Sequence, residues 1–420
     1  MSDMSYVISI FRKFLRRKID RALIIGGISV IFVLIVYLPM MAVETKATTK
    51  KLIEYGWNAP TPDFFRKHIK AMEQRPFDGV MVKLNAGKEV FNRDAYPDLA
   101  FTQDRQDLAA TKSSRLTDNF VVMWSGTEKG WDWFNNNDWA AAEKNVRNFA
   151  KTAKVGNFRG IAFDSESYTN SPWKYDKQPQ QQSKTFQEYQ QQVRKRGAQF
   201  MKAIQAEQPN PQFLTFGLLS WMRDVFGSAS DPAKLQQELS NHTYGLWPSF
   251  INGMLDATKP GSMIVDGHEW SYYFFNAAAF EGTRNSIIKG AKVLVAPTNR
   301  QKYDQQVKLG QAVYLDFLID LFPKSMKVSP FAKTTPHFLS PEDGLRLLEH
   351  NVYHSLRTAD RYSWLYNENM DWWKNNIPKG VEATIRTAKT KLEQKQSLGF
   401  DITPAIQAAL KKCQVTSTDC

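Results

Sequence analysis

The chain has 420 residues, of which 42% are hydrophobic, and it carries a formal net charge of +13. These values fit one large globular domain or two small ones, with ample apolar surface for a core. The two cysteines are too few for a four-thiolate metal site, and the sequence lacks zinc-ligand spacing, a phosphate-binding loop and nucleic-acid-binding motifs. We therefore expect no metal, no cofactor and no nucleic-acid partner.

The positive charge is distributed over the N-terminus and the rest of the chain. Residues 1–43 contain six basic and two acidic residues, which leaves a net charge of +9 on the remainder. Such a charge suits an anionic polymer or a membrane surface, and it is equally compatible with no charged partner. The cysteines, Cys413 and Cys420, either close a small loop in an oxidising compartment or remain free thiols.

An apolar stretch near the N-terminus predicts a membrane anchor. Residues 22–43 contain no charged side chain and, as a helix, cover roughly 33 Å, enough to span a bilayer core. Six basic residues precede this stretch, so residues 1–21 are expected in the cytoplasm and the bulk of the chain is exported. A cleaved signal peptide has a shorter apolar core. We therefore predict an uncleaved signal anchor in a bacterial inner membrane, with the C-terminal domain in the periplasm or outside the cell.

Strand-like and helix-like patterns alternate after a polar tether at residues 44–51. The predicted strands are 52–57, 78–85, 119–125, the apolar start of 158–168, 212–220, 262–270, 291–297 and 361–368. The predicted helices are 62–73, a helix ending near 155, 183–208, 277–289, 303–321, 341–358 and 381–394. This alternation indicates an α/β fold with a parallel sheet. Eight strands predict a (β/α)8 TIM barrel with inserted loops over residues 52–400, followed by a C-terminal tail at 401–420. A doubly wound sheet is the alternative.

The fourth predicted strand ends in two carboxylates, Asp164 and Glu166. Residues two apart in a strand point the same way, so both acids emerge on one face. Parallel α/β folds place their reactive groups at this C-terminal end of the strands. Glycoside cleavage requires one carboxylic acid that protonates the leaving oxygen and one carboxylate that acts as nucleophile or base. The pair therefore indicates carbohydrate chemistry, whereas helix capping and a surface ion pair are the structural alternative.

Other predicted strands also end in acids and aromatic residues. The candidate catalytic residues are Asp164, Glu166, Glu269 and Glu368. The candidate substrate-binding residues are Trp57, Asn85, Trp124, Tyr168, Trp221, Asp266, His268, Trp270, Tyr366 and Trp372. Aromatic rings stack on the apolar faces of sugars, although a single tryptophan is often only part of a core. Two pairings remain open, because Asp164 or Glu166 can act with Glu269 or with Glu368, and we favour Glu269.

Several short motifs between residues 51 and 375 resemble bacterial (β/α)8-barrel glycoside-hydrolase-like proteins. They are residues 56–60 (Gly-Trp-Asn-Ala-Pro), 75–79 (Arg-Pro-Phe-Asp-Gly), 164–166 (Asp-Ser-Glu), 266–269 (Asp-Gly-His-Glu) and 364–368 (Trp-Leu-Tyr-Asn-Glu). The fourth strand is also similar to the chitinase-type Asp-x-Asp-x-Glu signature, with Ala162 in place of the first Asp. That resemblance implies Glu166 as general acid, Asp164 as its partner and assistance from an acetamido group of the substrate.

The sequence predicts a membrane-anchored, exported glycoside hydrolase that acts on a bacterial cell-surface polysaccharide or exopolysaccharide. The expected partners are that polysaccharide, the membrane and further components of a polysaccharide-synthesis system. The alternative is a non-catalytic polysaccharide-binding or scaffolding component on a degenerate barrel, because the predicted seventh strand carries no carboxylate. Deacetylation is a weaker alternative, since it usually needs a His/Asp metal set and the six histidines are scattered.

Overall fold

A computed structural model describes residues 49–168, 170–321 and 335–416. The predicted anchor at residues 22–43, the preceding tail and most of the tether lie outside these ranges. None of the helices within them is long and apolar enough to cross a membrane. All the described residues belong to one unit that begins at Thr49.

Parallel strands form a closed barrel, which confirms the predicted fold class. The strands are β1 (Lys51–Gly56), β2 (Gly79–Val82), β3 (Glu89–Phe91), β4 (Phe120–Thr127), β5 (Gly160–Asp164), β6 (Gln212–Thr215), β7 (Met263–Asp266), β8 (Val307–Leu309), β9 (Gln311–Tyr314) and β10 (Tyr362–Asn367). The order around the sheet is β8-β7-β6-β5-β4-β2-β1-β10-β9, and β3 pairs with β4 outside this path. Seven of the eight strands predicted from the sequence coincide with β1, β2, β4, β5, β6, β7 and β10.

The seventh strand of the barrel is not where the sequence placed it. Only Gly310 separates β8 from β9, while β8 pairs with β7 and β9 pairs with β10, so residues 307–314 close the barrel. The predicted strand at 291–297 is wrong, because residues 290–294 form a 3-10 helix. The predicted helix at 303–321 is also wrong over β8 and β9. A short apolar run can form either a strand or a helical turn. Its pattern therefore did not show that residues 307–314, and not 291–297, form the seventh strand.

Helices follow most of the strands and cover the outside of the barrel. They are α1 (Pro62–Met72), α2 (Thr102–Ala110), α3 (Asn136–Val155), α4 (Phe186–Glu207), α5 (Pro232–Asn241), α6 (Trp247–Ala257), α7 (Ala277–Thr283), α8 (Arg300–Gln306), α9 (Leu315–Leu318), α10 (Pro341–Thr358), α11 (Val381–Glu393) and α12 (Thr403–Thr416). The segment assigned to a C-terminal tail thus contains α12. Cys413 lies in this helix, where it is buried and disulfide-bonded.

Aromatic side chains fill much of the barrel interior. Trp364 of β10 stacks on Phe216 with ring centroids 4.4 Å apart, and Tyr362 contacts Phe120 edge-to-face at 5.3 Å. Near the N-terminal ends of the strands, buried Asp118 accepts hydrogen bonds from Arg361 and Tyr362, both at 2.8 Å. Burial opposes the charge of Asp118, but these hydrogen bonds outweigh it and hold the pKa of the carboxyl below its usual value. This end of the barrel therefore serves stability.

Two glycines allow α4 and α6 to approach closely. A Cβ atom added at Gly197 of α4 would lie 2.1 Å from the carbonyl oxygen of Phe250, and one added at Gly253 of α6 would lie 1.9 Å from that of Arg194. Both distances are far below van der Waals contact, and both obstacles are backbone atoms. The two helices therefore pack backbone against backbone, which only glycine permits at these positions.

We expect Gly197→Ala to destabilise the protein. The added methyl group forces α4 away from α6, and overpacking of this kind costs about 1–3 kcal/mol. A fall of several degrees in the thermal midpoint, measured by circular dichroism, is the expected result. Gly282→Ala is the matched control, because its added Cβ has nothing within 4 Å and should leave the midpoint unchanged or slightly raised. Equal midpoints for Gly197→Ala and the wild type would contradict the prediction.

Candidate active site

A cleft of about 560 Å³ lies at the C-terminal ends of the strands, and all four candidate acids line it. Asp164 ends β5, Glu166 lies two residues later, Glu269 follows β7 and Glu368 follows β10. The remaining lining residues include Tyr55, Trp57, Lys83, Lys88, Trp124, Tyr168, Phe216, Tyr272, Trp364 and Tyr366. Parallel strands bring their carboxyl ends to one rim, so acids more than 200 residues apart in the sequence meet in one cavity.

Asp164 is buried beside Glu166 at the base of the cleft. It pairs in register with Trp124 of β4, and the Trp124 indole donates a hydrogen bond to its carboxylate. A second hydrogen bond comes from the backbone N–H of Glu166 at 2.9 Å. Burial, and then the charge of Glu166, raises the pKa of Asp164 to about 8. The half-buried Glu166 accepts a hydrogen bond from the hydroxyl of Tyr168.

Glu269 is the second acid whose pKa is strongly raised. Burial is the main cause, and the charges of Glu166 and Asp164 add to it. The Trp221 indole donates a hydrogen bond to the Glu269 side chain, while the Glu269 backbone N–H donates to Phe216 at 3.0 Å. Three carboxyl groups within electrostatic reach of one another cannot all ionise at low cost. The group therefore retains protons at neutral pH, which general-acid chemistry requires.

Glu368 lies across the cleft in a ring of tyrosines. It accepts hydrogen bonds from Tyr366, at 3.0 Å, and from Tyr314. Burial raises the pKa of Glu368, and these two hydrogen bonds oppose the rise. The Glu368 backbone is held in turn by buried Asp316, which accepts a hydrogen bond from its N–H at 2.9 Å. Asp316 is therefore a structural acid at the end of the seventh strand.

Tyrosines at the same level of three neighbouring strands form the floor under Glu368. Tyr55, Tyr366 and Tyr314 are in register on β1, β10 and β9. The ring centroid of Tyr366 lies 5.7 Å from that of Tyr55 and 5.3 Å from that of Tyr314. Sequence reasoning missed Tyr314 because its strand was predicted as helix. It missed Tyr55 because only the residues that follow the first strand were considered, although alternation places Tyr55 inside the barrel.

The cleft continues in two arms. The Trp270 arm, of about 630 Å³, is lined by Trp221, Arg223, Asp224, His242, Thr243, Tyr244, Trp270 and Tyr273 together with Glu166 and Glu269. The Trp124 arm, of about 400 Å³, is lined by Lys88, Glu89, Asn92, Trp124, Gly126, Thr127, Glu128 and Tyr168 together with Glu166. Glu166 borders all three cavities, which therefore meet at this residue.

Six of the ten predicted substrate-binding residues line these cavities. Trp57, Trp124, Tyr168 and Tyr366 line the central cleft, and Trp221 and Trp270 line the Trp270 arm. Trp57 is 67% exposed, and its indole donates a hydrogen bond to the Tyr366 hydroxyl at 2.7 Å. Its exposed ring face is thus held in a defined orientation, as sugar stacking requires. The roles of these side chains remain predictions.

The other four predicted substrate-binding residues do not line these cavities, and their side chains contact other residues of the fold. Exposed Asn85 donates a hydrogen bond to Asp104 at 2.8 Å. Buried Trp372 packs edge-to-face on Phe77 and donates to Asn367, so it belongs to the core. The remaining two, Asp266 and His268, lie at the end of β7 and just after it.

Asp266 and His268 are both buried outside the lining of the cleft. Asp266 accepts hydrogen bonds from the backbone N–H of Leu218, at 3.1 Å, and of Ser220, at 2.9 Å, so its carboxylate holds the turn after β6. His268 has a positive φ of 46°, and its Nδ1 lies 3.0 Å from Gln311. Burial lowers the pKa of His268 and keeps the ring neutral. Within the described residues, no group of three or more His, Cys, Asp or Glu side chains is arranged to hold a metal ion.

The raised pKa of Asp164 predicts a pH-dependent stability. A folded-state pKa of about 8 lies above the unfolded value near 3.9, so the stability that this group contributes is present below pH 4 and is lost as pH rises toward 8. Asp164→Asn keeps a hydrogen-bond acceptor and removes the titration. The quantity to compare is the thermal midpoint of the variant minus that of the wild type at the same pH. We expect this difference to increase by a few degrees from pH 4 to pH 8. The exposed control Asp94→Asn should show a constant difference, and a constant difference for Asp164→Asn would contradict the pKa assignment.

The solved structures that are similar to this chain include glycoside hydrolases. A broad-specificity endoglucanase of glycoside hydrolase family 5 from an uncultured bacterium is 9% identical, with 77% of this chain and 84% of that chain covered at a TM-score of 0.42. A family 5 enzyme from Prevotella bryantii, solved with a xyloglucan tetradecasaccharide, is 10% identical, with 80% and 95% covered at 0.40. A psychrophilic family 10 endo-β-1,4-xylanase is 13% identical, with 81% and 97% covered at 0.39. No protein-family model and no curated protein matches. Likeness at this level carries no information on activity.

Proposed function

We propose that the protein is a glycoside hydrolase that acts on a bacterial cell-surface polysaccharide or exopolysaccharide. The single observation that carries this proposal is the convergence of Asp164, Glu166, Glu269 and Glu368 in one aromatic-lined cleft. Buried carboxyl groups with raised pKa values supply protons near neutral pH, and a neighbouring carboxylate supplies the negative charge that an oxocarbenium-like transition state needs.

In this proposal Glu269 is the proton donor and Glu166 is the nucleophile or base. Burial and two neighbouring carboxyl groups favour the protonated form of Glu269. Glu166 is only half-buried and lies where the three cavities meet, so the scissile bond is reachable from it. Asp164, protonated at neutral pH, positions Glu166 through the 2.9 Å hydrogen bond from the Glu166 backbone. The chitinase-type resemblance implies the opposite assignment, with Glu166 as acid.

The two arms favour cleavage within a polymer rather than at its end. An enzyme that removes terminal sugars needs a blocked pocket, whereas here the cavity continues beyond Glu166 into both the Trp270 arm and the Trp124 arm. Exposed Trp270 offers a stacking face in one arm and Trp124 offers one in the other. The expected products are therefore oligosaccharides of several lengths.

The test of the proposal uses the purified full-length chain and a panel of bacterial polysaccharides. Release of reducing ends and product sizes are measured for the wild type, Glu166→Gln and Glu269→Gln. Cleavage of at least one polymer by the wild type, and its loss in both variants without a change in thermal midpoint, is expected. Glu342→Gln, a substitution on the outer helix α10, serves as the control and should cleave normally. Normal cleavage by both cleft variants would end the assignment.

The second candidate function is polysaccharide binding without hydrolysis. It is favoured by the end of the seventh strand, where Tyr314 is buried and the nearby acid, Asp316, accepts hydrogen bonds from the backbone N–H groups of Glu368 and Asn369. Binding to a polymer in the panel by affinity electrophoresis, with no reducing ends released, would support this function instead.

We also propose that residues 22–43 anchor the protein in a bacterial inner membrane, with the barrel in the periplasm or outside the cell. The uncharged stretch and the six basic residues before it support this orientation. The disulfide-bonded state of Cys413 supports an oxidising compartment. Protease added to intact spheroplasts should digest the barrel, and protection until the membrane is broken would contradict the orientation.

A further inference from the structure

Three cations border the cleft without pairing with the acids at its centre. Arg223 lines the Trp270 arm, Lys83 lines the central cleft, and Lys88 lies where the central cleft meets the Trp124 arm. Arg223 and Lys83 form no ion pair within the described part of the chain. Lys88 has one ion-pair partner, Glu89 at 3.4 Å, and the exposed fractions of the two side chains are 60% and 34%. Such a pair is worth little, so Lys88 is readily available to a ligand.

Two of the cations lie against tryptophan rings in different arms of the cleft. The guanidinium of Arg223 lies 5.4 Å from the ring centroid of Trp270. The ammonium of Lys88 lies 5.5 Å from the ring centroid of Trp124. A tryptophan face binds the apolar face of a sugar, and a neighbouring cation binds an anionic group on that sugar through charge-assisted hydrogen bonds. Each pair thus offers both contacts that one acidic sugar needs.

From this arrangement, and resting on the proposed function, we propose that the substrate is an acidic polysaccharide whose sugars carry carboxylates. Arg223 binds a carboxylate in the Trp270 arm, and Lys83 and Lys88 bind carboxylates on the other side of the acids. Unpaired cations attract anionic ligands and discriminate against neutral ones. A polymer with many carboxylates would otherwise be repelled by the acids of the cleft. The net charge of +9 on the chain after residue 43 acts in the same direction over a longer range.

The experiment measures binding by the full-length chain in its cleavage-deficient Glu166→Gln form, so that the probes stay intact. The probes are polygalacturonate and alginate, each compared with its own carboxyl-reduced derivative, at low and at physiological salt. We expect the carboxyl-reduced polymers to bind about tenfold more weakly, the size of effect given by one lost charge-assisted contact. Arg223→Gln and Lys83→Gln, each added to this form, should reduce that difference. Arg300→Gln and Lys195→Gln, which change exposed cations outside the cleft, should not.

Three results of the binding experiment overturn the inference. They are equal binding of the acidic and carboxyl-reduced probes, no binding of either acidic probe, and equal losses in the cleft and control variants, which would assign the preference to bulk charge. The hydrolase proposal fails separately. If the wild type cleaves only neutral polymers, the inference of an acidic substrate is wrong and the hydrolase proposal is retained. If the protein binds acidic polymers selectively and cleaves none, the hydrolase proposal is wrong and the preference for acidic polymers is retained.

Discussion

Glu269→Gln should lower the rate of polysaccharide cleavage by about 100- to 10,000-fold, the usual contribution of a general acid. The amide has the same shape and still accepts the hydrogen bond from Trp221, but it has no proton to give to the leaving oxygen. The loss therefore depends on the leaving group. An aryl glycoside with a strongly activated leaving group needs no proton, so the variant should cleave it at close to the wild-type rate. The measurement is kcat/KM on the polymer and on the activated glycoside.

Glu166→Gln provides the matched comparison. As nucleophile or base, Glu166 is required whatever the leaving group, so this variant should lose activity on both substrates. If the activated glycoside rescues Glu166→Gln instead of Glu269→Gln, the two roles are exchanged, as the chitinase-type resemblance implies. Wild-type activity should also fall as pH rises through the pKa of Glu269, since deprotonation removes the acid. The wild type should show this alkaline limb on the polymer and not on the activated glycoside, which needs no proton, and an equal limb on both substrates would contradict the assignment.

Phe91→Ala should produce the largest loss of stability, because Phe91 is the hub of an aromatic cluster outside the barrel. Its ring is fully buried. Seven aromatic rings have centroids between 5.2 and 6.4 Å from it, namely those of Trp131, Trp133, Trp139, Phe163, Trp173, Phe200 and Phe250. Removal of a phenyl ring from a packed core costs about 3–5 kcal/mol. A fall in the thermal midpoint on the order of 10 °C is expected, measured by calorimetry.

The control for this variant is Phe64→Ala. Phe64 is only partly buried on α1 and stacks on His68 at 4.2 Å, so its loss leaves no cavity and should lower the midpoint by far less. Phe91→Leu should fall between the wild type and Phe91→Ala, because leucine fills part of the volume. A midpoint for Phe91→Ala no lower than that for Phe64→Ala would show that the cluster does not hold β3 against the barrel.

This cluster illustrates a part of the fold that the sequence did not reveal. The sequence pattern predicts no helix or strand between residues 85 and 119, although this segment contains β3 and α2. The pattern also assigns no role to Trp131 and Trp133, in the loop after β4, or to Trp139 of α3. A three-residue strand leaves no readable period, and it is stabilised by rings that come from α3, β5, α4, α6 and two loops. Local sequence therefore carries little of the information that places Phe91.

The sequence was sufficient to predict which acids line the candidate site. It was not sufficient to predict which other residues line it. Asp164, Glu166, Glu269 and Glu368 each follow a strand whose pattern is readable, so their shared rim follows from topology. Asp266 and His268 follow the same kind of strand, yet their side chains are bonded to neighbouring strands and loops. Tyr314 and Arg223 lie in a missed strand and in a long connection, where no period singled them out.

The sequence alone determined the alternation of strands and helices, seven of the eight barrel strands and the acids at the ends of three of them. Those features are local, because backbone periodicity and side-chain type are written in consecutive residues. Only the tertiary structure decided that residues 307–314 close the barrel, which carboxyl groups raise one another's pKa, and which cations border the cleft without pairing with the acids at its centre. Those properties depend on distance and burial between residues far apart in the chain, and electrostatic energies change steeply with both.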